Sequence, residues 1–116
     1  MSIYSELILD HYQNPRNFGK VGRPTYVSKV SNPLCGDEIE LTIKVENGRV
    51  SDIKFQGKGC AVSRASSSML TQYLKGKQEV ELKKIDKDFI IKMLGIELGV
   101  NRIKCALLPL EALKKI

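Results

Sequence analysis

The chain has 116 residues, 42% of them apolar and 28% charged, which fits one domain around one modest core and excludes a disordered polymer. No apolar run approaches membrane-spanning length, and the N-terminus lacks the basic-then-apolar pattern of a secretion signal. The net charge of +6 is uneven, with eight basic and seven acidic residues in 1–58 against eleven and six in 59–116, a bias that suits an acidic partner surface.

The first predicted helix is capped by Ser2 and reaches about Tyr12, with Ile3, Leu7 and Ile8 on one face; Asn14-Pro15 stops it. An irregular stretch with Gly19, Gly22 and Pro24 leads to a short strand marked by Tyr26, Val27 and Val30 before Asn32-Pro33. The strongest signal is Glu38 to Val45, which alternates strictly and puts Ile39, Leu41, Ile43 and Val45 on one face of a half-buried strand. Asn47-Gly48 reads as a tight hairpin turn, since both residues tolerate positive φ. The return strand runs from Arg49 to Gln56, with Ile53 and Phe55 in phase and Val50 out of phase, which predicts a bulge near the turn.

After Gly57-Lys58-Gly59, the spacing of Ala61, Ala65, Met69 and Tyr73 with Val62, Leu70 and Leu74 predicts a helix to about Lys75, ended by Gly76. Asp86 caps a further helix that faces Phe89, Ile90, Met93 and Leu94 inward and stops at Gly95. Arg102 to Lys115 is periodic through Ile103, Leu107, Leu110 and Leu113, with Pro109 kinking it or starting a new turn. Strands first and helices after them predict an α+β fold in which residues 1–116 form a single domain. A small antiparallel sheet of about three strands carries helices packed on one face.

Three cysteines is an odd count, which argues against a closed disulfide framework and for thiols open to metal or to chemistry. They lie 25 and then 45 positions apart, so no C-x-x-C knuckle exists. Cys35 and Asp37 share a turn leading into the alternating strand, and two residues apart in extended chain their side chains point the same way. Cys60 follows a Gly-x-Gly turn and opens a helix, where free N–H groups and the helix dipole favour a thiolate. Cys105, placed near the start of the last helix behind Arg102 and Lys104, gains the same preference from their charge. A free cysteine usually just packs, and Cys105, between Ile103 and Leu107, reads that way in isolation. Cys35 and Cys60 sit in Gly/Pro-rich turns of the kind that hold binding groups. With all three at element termini and an aspartate beside one, a shared site outweighs three separate packing roles.

Other reactive residues read as structural. His11, the only histidine, lies mid-helix and remote in sequence from every cysteine, so it is structural or partner-facing rather than a base or ligand. Ser66-Ser67-Ser68 lacks a G-x-S-x-G context and reads as small side chains allowing close packing beside the site. Lys58 with Gly57 and Gly59 lacks phosphate-loop spacing. The lysines are scattered and the few aromatics are not interleaved with them, so nucleic acid is not an expected partner.

Four stretches carry a family resemblance: Tyr4 to Gly19 (YSELILDHYQNPRNFG), Asn32 to Asp37 (NPLCGD), Gly57 to Leu70 (GKGCAVSRASSSML) and Arg102 to Leu108 (RIKCALL). Together they span essentially the whole chain, which resembles the IscU/SufU family of iron–sulfur cluster assembly proteins, also seen as the N-terminal domain of NifU proteins. The resemblance implies a SufE/NifU-like fold and metal or cluster ligands at Cys35, Asp37, Cys60 and Cys105; without a membrane-length run or a secretion signal, the expected location is cytoplasmic. It implies a scaffold that takes sulfur from a cysteine desulfurase of the IscS/SufS type, together with iron. The scaffold builds a transient [2Fe–2S] cluster and passes it to apo acceptor or carrier proteins. Related members instead hold Zn²⁺ at the same site and relay persulfide sulfur, a role in which Cys105 is the candidate acceptor. A scaffold or carrier is the first reading, a zinc-dependent sulfurtransferase the alternative, and a purely structural zinc module the third.

The chain departs from both branches of that family. IscU has a histidine just before its last cysteine, where this chain has Lys104, which cannot ligate while protonated. The Leu-Pro-Pro-Val-Lys segment read by a dedicated Hsp70-type chaperone is replaced by Leu98-Gly-Val-Asn-Arg102, so that partner is not expected. The Gly-Lys-Gly-Cys and Arg-Ile-Lys-Cys contexts look more like SufU, yet SufU typically carries an insertion between its second and third cysteines for which there is no room here.

Overall fold

A computed structural model describes residues 3–33 and 36–116. The elements in order are α1 (Ile3–Gln13), β1 (Tyr26–Asn32), β2 (Asp37–Glu46), β3 (Arg49–Gln56), α2 (Ala61–Leu74), a short 3-10 helix (Glu79–Lys83), α3 (Lys87–Leu94), α4 (Val100–Ala106) and α5 (Leu108–Lys114). The predicted cap Ser2 lies outside the described residues. Among the described residues, no helix is long and apolar enough to cross a membrane.

The three strands form an antiparallel meander in the order β1-β2-β3. Alternation puts Val30, Ile39, Leu41, Ile43, Ile53 and Phe55 on one buried face, each large side chain contributing about 1.5–3 kcal/mol through burial. The β2–β3 hairpin closes through Asn47 (φ 54°) and Gly48 (φ 75°), the positive pair that matches the natural twist of the strands. The expected bulge is present. Val45 pairs with Val50 but Lys44 pairs with Asp52, so Ser51 is the extra residue and Val50 turns inward, fully buried.

Helix α2 is the hub of the layer above the sheet: it packs against β3, α1, α3, α4 and α5, while α5 lies over β1 and β2. Enclosure on several sides explains why Ser63 and Ser66 to Ser68 are all completely buried. At 100° per residue, neighbouring serines face different partners. Ser66 donates to the Ala106 carbonyl at 2.7 Å, Ser67 donates to the Ser63 carbonyl at 2.8 Å within its own helix, and Ser68 Oγ accepts from the Arg16 amide at 2.8 Å. Asp86 caps α3 by accepting from the Phe89 amide at 2.8 Å, as predicted.

The last segment, read as periodic from Arg102 to Lys115 with Pro109 kinking it or starting a new turn, takes the second form. A helix begins earlier, at Val100, and the ladder breaks at Leu107, giving two short helices. Pro109 is the cause: it has no N–H to bond the Cys105 carbonyl four residues back, but its fixed φ suits the first turn of a new helix. Cys105 is therefore near the end of α4, not near the start of a long final helix.

Candidate metal centre

Three chain segments converge at one end of the sheet. Asp37 begins β2, Cys60 is the residue before α2, and Cys105 is the penultimate residue of α4. The ligand atoms of these three side chains all lie within 4.8 Å of one another. Residues 37, 60 and 105 are thus brought together from separations of 23 and 45 positions by the fold alone. The fourth predicted member, Cys35, lies outside the described residues; Asn32 and Asp37 pair as the last partners of β1 and β2.

Asp37 and Cys60 are joined through the backbone. The Cys60 amide donates to Asp37 Oδ1 at 3.2 Å, and the Glu38 amide donates to the Lys58 carbonyl at 2.7 Å. The second bond requires the loop to lie directly on β2. Gly57 makes that approach feasible: it adopts φ +142°, and a Cβ there would stand 2.1 Å from the Glu38 carbonyl oxygen. Cys60 adopts the extended conformation of a cap residue, and its Sγ is 3.9 Å from Ser63 Oγ.

Cys105 is held differently. It is buried at 5% exposure, and its position depends on how α4 sits against α2, across which Ser66 bonds Ala106, the residue after Cys105. Its thiol is pushed well above the ordinary cysteine range, first by burial, then by hydrogen bonds to Cys60 and Asp37 and by their charges. This reverses the expectation that Arg102 and Lys104 favour a Cys105 thiolate. Both basic side chains are exposed on α4, whereas Cys105 faces inward toward a thiol and a carboxylate. Lys104 instead lines a cleft of about 270 Å³ with Ser31, Asn32, Pro33 and Glu111.

The donor set fits a bound cation. Asp37 is 5% exposed, and its Oδ2 is buried with no hydrogen-bond partner among the described residues, a costly state for a carboxylate oxygen unless a positive charge meets it. Thiolates suit zinc and iron–sulfur clusters, and a buried carboxylate completes such a set.

His11 stands apart from this centre. It is 3% exposed, with Nδ1 2.7 Å from Ser68 Oγ, and burial holds its pKa below the ordinary histidine value, with the Arg16 charge adding to the effect and Asp10 opposing it. It joins α1 to α2, which is the structural role expected of it. Sequence reading did not single out Ser63 and took Ser66 only as a small side chain. A run of hydroxyls in mid-helix, each needing a partner if buried, was the available signal.

The NifU-like N terminal domain matches residues 3–116. The iron–sulfur cluster assembly scaffold protein IscU 1 of Archaeoglobus fulgidus is 43% identical over 113 residues, covering 97% of this chain and 73% of that protein. The zinc-dependent sulfurtransferase SufU of Bacillus subtilis is 41% identical, covering 98% of this chain and 88% of that one. That alignment runs over 131 positions, more than the 116 residues here, so SufU carries residues with no counterpart in this chain. Among solved structures, a putative iron–sulfur cluster assembly scaffold for the SUF system from Fervidobacterium islandicum superposes with a TM-score of 0.80 at 30% identity, covering 97% of this chain and 95% of that one. The chain belongs to the NifU-like N-terminal domain family.

Proposed function

We propose that this protein is an iron–sulfur cluster assembly scaffold, with Cys35, Asp37, Cys60 and Cys105 as the residues that hold the nascent cluster. The convergence of Asp37, Cys60 and Cys105 within 4.8 Å carries the reading. Its cargo is a [2Fe–2S] cluster built from iron and from sulfur delivered by a cysteine desulfurase, then handed to apo acceptor proteins. Three thiolates supply soft ligands, and Asp37, a harder ligand, makes the grip weak enough to release. Burial of Asp37 and Cys105 keeps water from the donors, and the part-exposed Cys60 marks the side from which cargo enters and leaves.

Zinc-dependent sulfur relay is the second reading, favoured by the 41% identity to SufU. There a thiolate of the site attacks the outer sulfur of the desulfurase persulfide. A new S–S bond forms on the attacking cysteine, and the desulfurase cysteine departs as thiolate. Cys105 is the candidate acceptor, although burial pushes its thiol up and away from the attacking thiolate form. The inserted residues of SufU that this chain lacks favour the scaffold over the relay.

Anaerobic incubation with a cysteine desulfurase, cysteine, ferrous iron and a thiol reductant, which brings the persulfide sulfur to sulfide, tests the scaffold. The protein is expected to gain iron and acid-labile sulfide in equal amounts and to pass both to an apo-ferredoxin. Asp37→Ala is expected to transfer its cluster more slowly. Zinc retained with no labile sulfide would replace the scaffold by the relay, and transfer by Asp37→Ala at an unchanged or faster rate would remove the role given to Asp37.

A further inference from the structure

We propose that Ser66 is a positioning residue that sets the gap between Cys105 and the Asp37–Cys60 pair; this rests on the metal-binding reading above. Asp37 and Cys60 travel together, because the Cys60 amide bonds Asp37 and the Glu38 amide bonds the loop just before Cys60. Cys105 belongs to a separate body. It rides on α4, only seven residues long, whose own ladder ends at Leu107. A helix so short has little stability of its own and takes its place from what it is tied to.

The tie is the Ser66 hydroxyl. Ser66 is completely buried on α2, six residues along from Cys60, and donates to the carbonyl of Ala106 at 2.7 Å. Ala106 directly follows Cys105 and is the last residue of α4, where the helical ladder breaks. This hydrogen bond joins the backbone of the segment carrying one sulfur to the helix whose start carries the other. A carbonyl at a helix end, buried without this donor, must find water or shift, and either response moves Cys105 relative to Cys60. Groups that orient ligands without touching the metal commonly set metal affinity within a factor of about 10–100.

Ser68 supplies the control. It is the same residue type on the same helix, equally buried, but its hydroxyl serves α1 through His11 and the segment after α1 through the Arg16 amide. Removing either hydroxyl costs stability, and only Ser66 bears on Cys105. The experiment compares wild type, Ser66→Ala, Ser66→Thr, Ser68→Ala and Cys105→Ala, all well below their melting temperatures. It reads Zn²⁺ affinity by chelator competition and thiolate-to-Co²⁺ charge-transfer absorption.

Ser66→Ala is expected to bind Zn²⁺ about 10–100-fold more weakly and to drop its Co²⁺–thiolate absorption toward that of Cys105→Ala. Ser68→Ala is expected to melt lower yet keep both at wild-type values. Ser66→Thr, which retains the hydroxyl, keeps the test open where the alanine variant is too unstable: folded, it is expected to hold the wild-type absorption. Wild-type metal binding by folded Ser66→Ala, a reduced absorption in folded Ser66→Thr, or affinities that track melting temperature across all three serine variants would overturn the assignment. Unchanged metal binding by Cys105→Ala would overturn the underlying site reading instead, so the two failures are distinguishable.

Discussion

The two sides of the donor cluster are built by different means. On the sheet side, Asp37 and Cys60 are locked by backbone hydrogen bonds and by a loop pressed so tightly onto β2 that position 57 has no room for a side chain. On the helix side, Cys105 depends on a seven-residue helix, a proline break and one buried hydroxyl reaching across from α2. The contrast matches what a temporary holder requires. A site that is rigid throughout would keep its cargo, whereas a firm pair with one limb on a lighter tether can grip and release it.

The firm side breaks most visibly at Gly57. Gly57→Ala combines a disfavoured φ of +142° with a Cβ 2.1 Å from the Glu38 carbonyl oxygen, so β2 and the loop must separate. The expected loss is about 3 kcal/mol, read from the shift in urea midpoint. Gly48→Ala sharpens the point: its φ is also positive, at 75°, but nothing lies within 4 Å of the added Cβ, so the loss is about 1 kcal/mol. Equal losses at the two positions would mean that close approach, as distinct from backbone conformation, adds nothing at Gly57.

The smallest expected effect lies on α1, away from the donors. His11 has a folded-state pKa below its unfolded value, because burial disfavours the charged ring. Protonation therefore favours the unfolded chain. The contribution is fully present above the unfolded histidine value of about 6.5 and is lost as pH falls from there through the folded value. Melting temperature is expected to decline over that window in wild type. The decline attributable to the ring is expected to vanish in His11→Phe, and an unchanged profile in that variant would show that carboxylates alone govern the slope.

Legibility in the sequence follows the same division. Strict alternation in β2, the Asn47-Gly48 turn and the phase of Val50 foretold the hairpin and its bulge, because period and turn chemistry are local properties. The placement of Asp37 and Cys60 at element boundaries was equally readable from Gly36, Gly57 and Gly59. The helix side was harder. Periodicity alone merged α4 and α5, since Leu107 and Leu110 keep the same spacing across the break at Pro109. The electrostatics of Cys105 were misjudged for a related reason. Arg102 and Lys104 are neighbours in sequence, yet a helix turns them to solvent while Cys105 turns inward, and what surrounds a buried thiol comes from distant residues. The tether at Ser66 spans 40 positions, a pairing that no local pattern encodes.

X-ray absorption at the metal edge of the zinc-loaded protein tests the shared centre most directly. With one Zn²⁺ per chain held by Cys35, Asp37, Cys60 and Cys105, the spectrum is predicted to require three sulfur neighbours at about 2.3 Å and one oxygen at about 2.0–2.2 Å. Two or fewer sulfurs around the metal, or a folded chain that retains no metal, would contradict it.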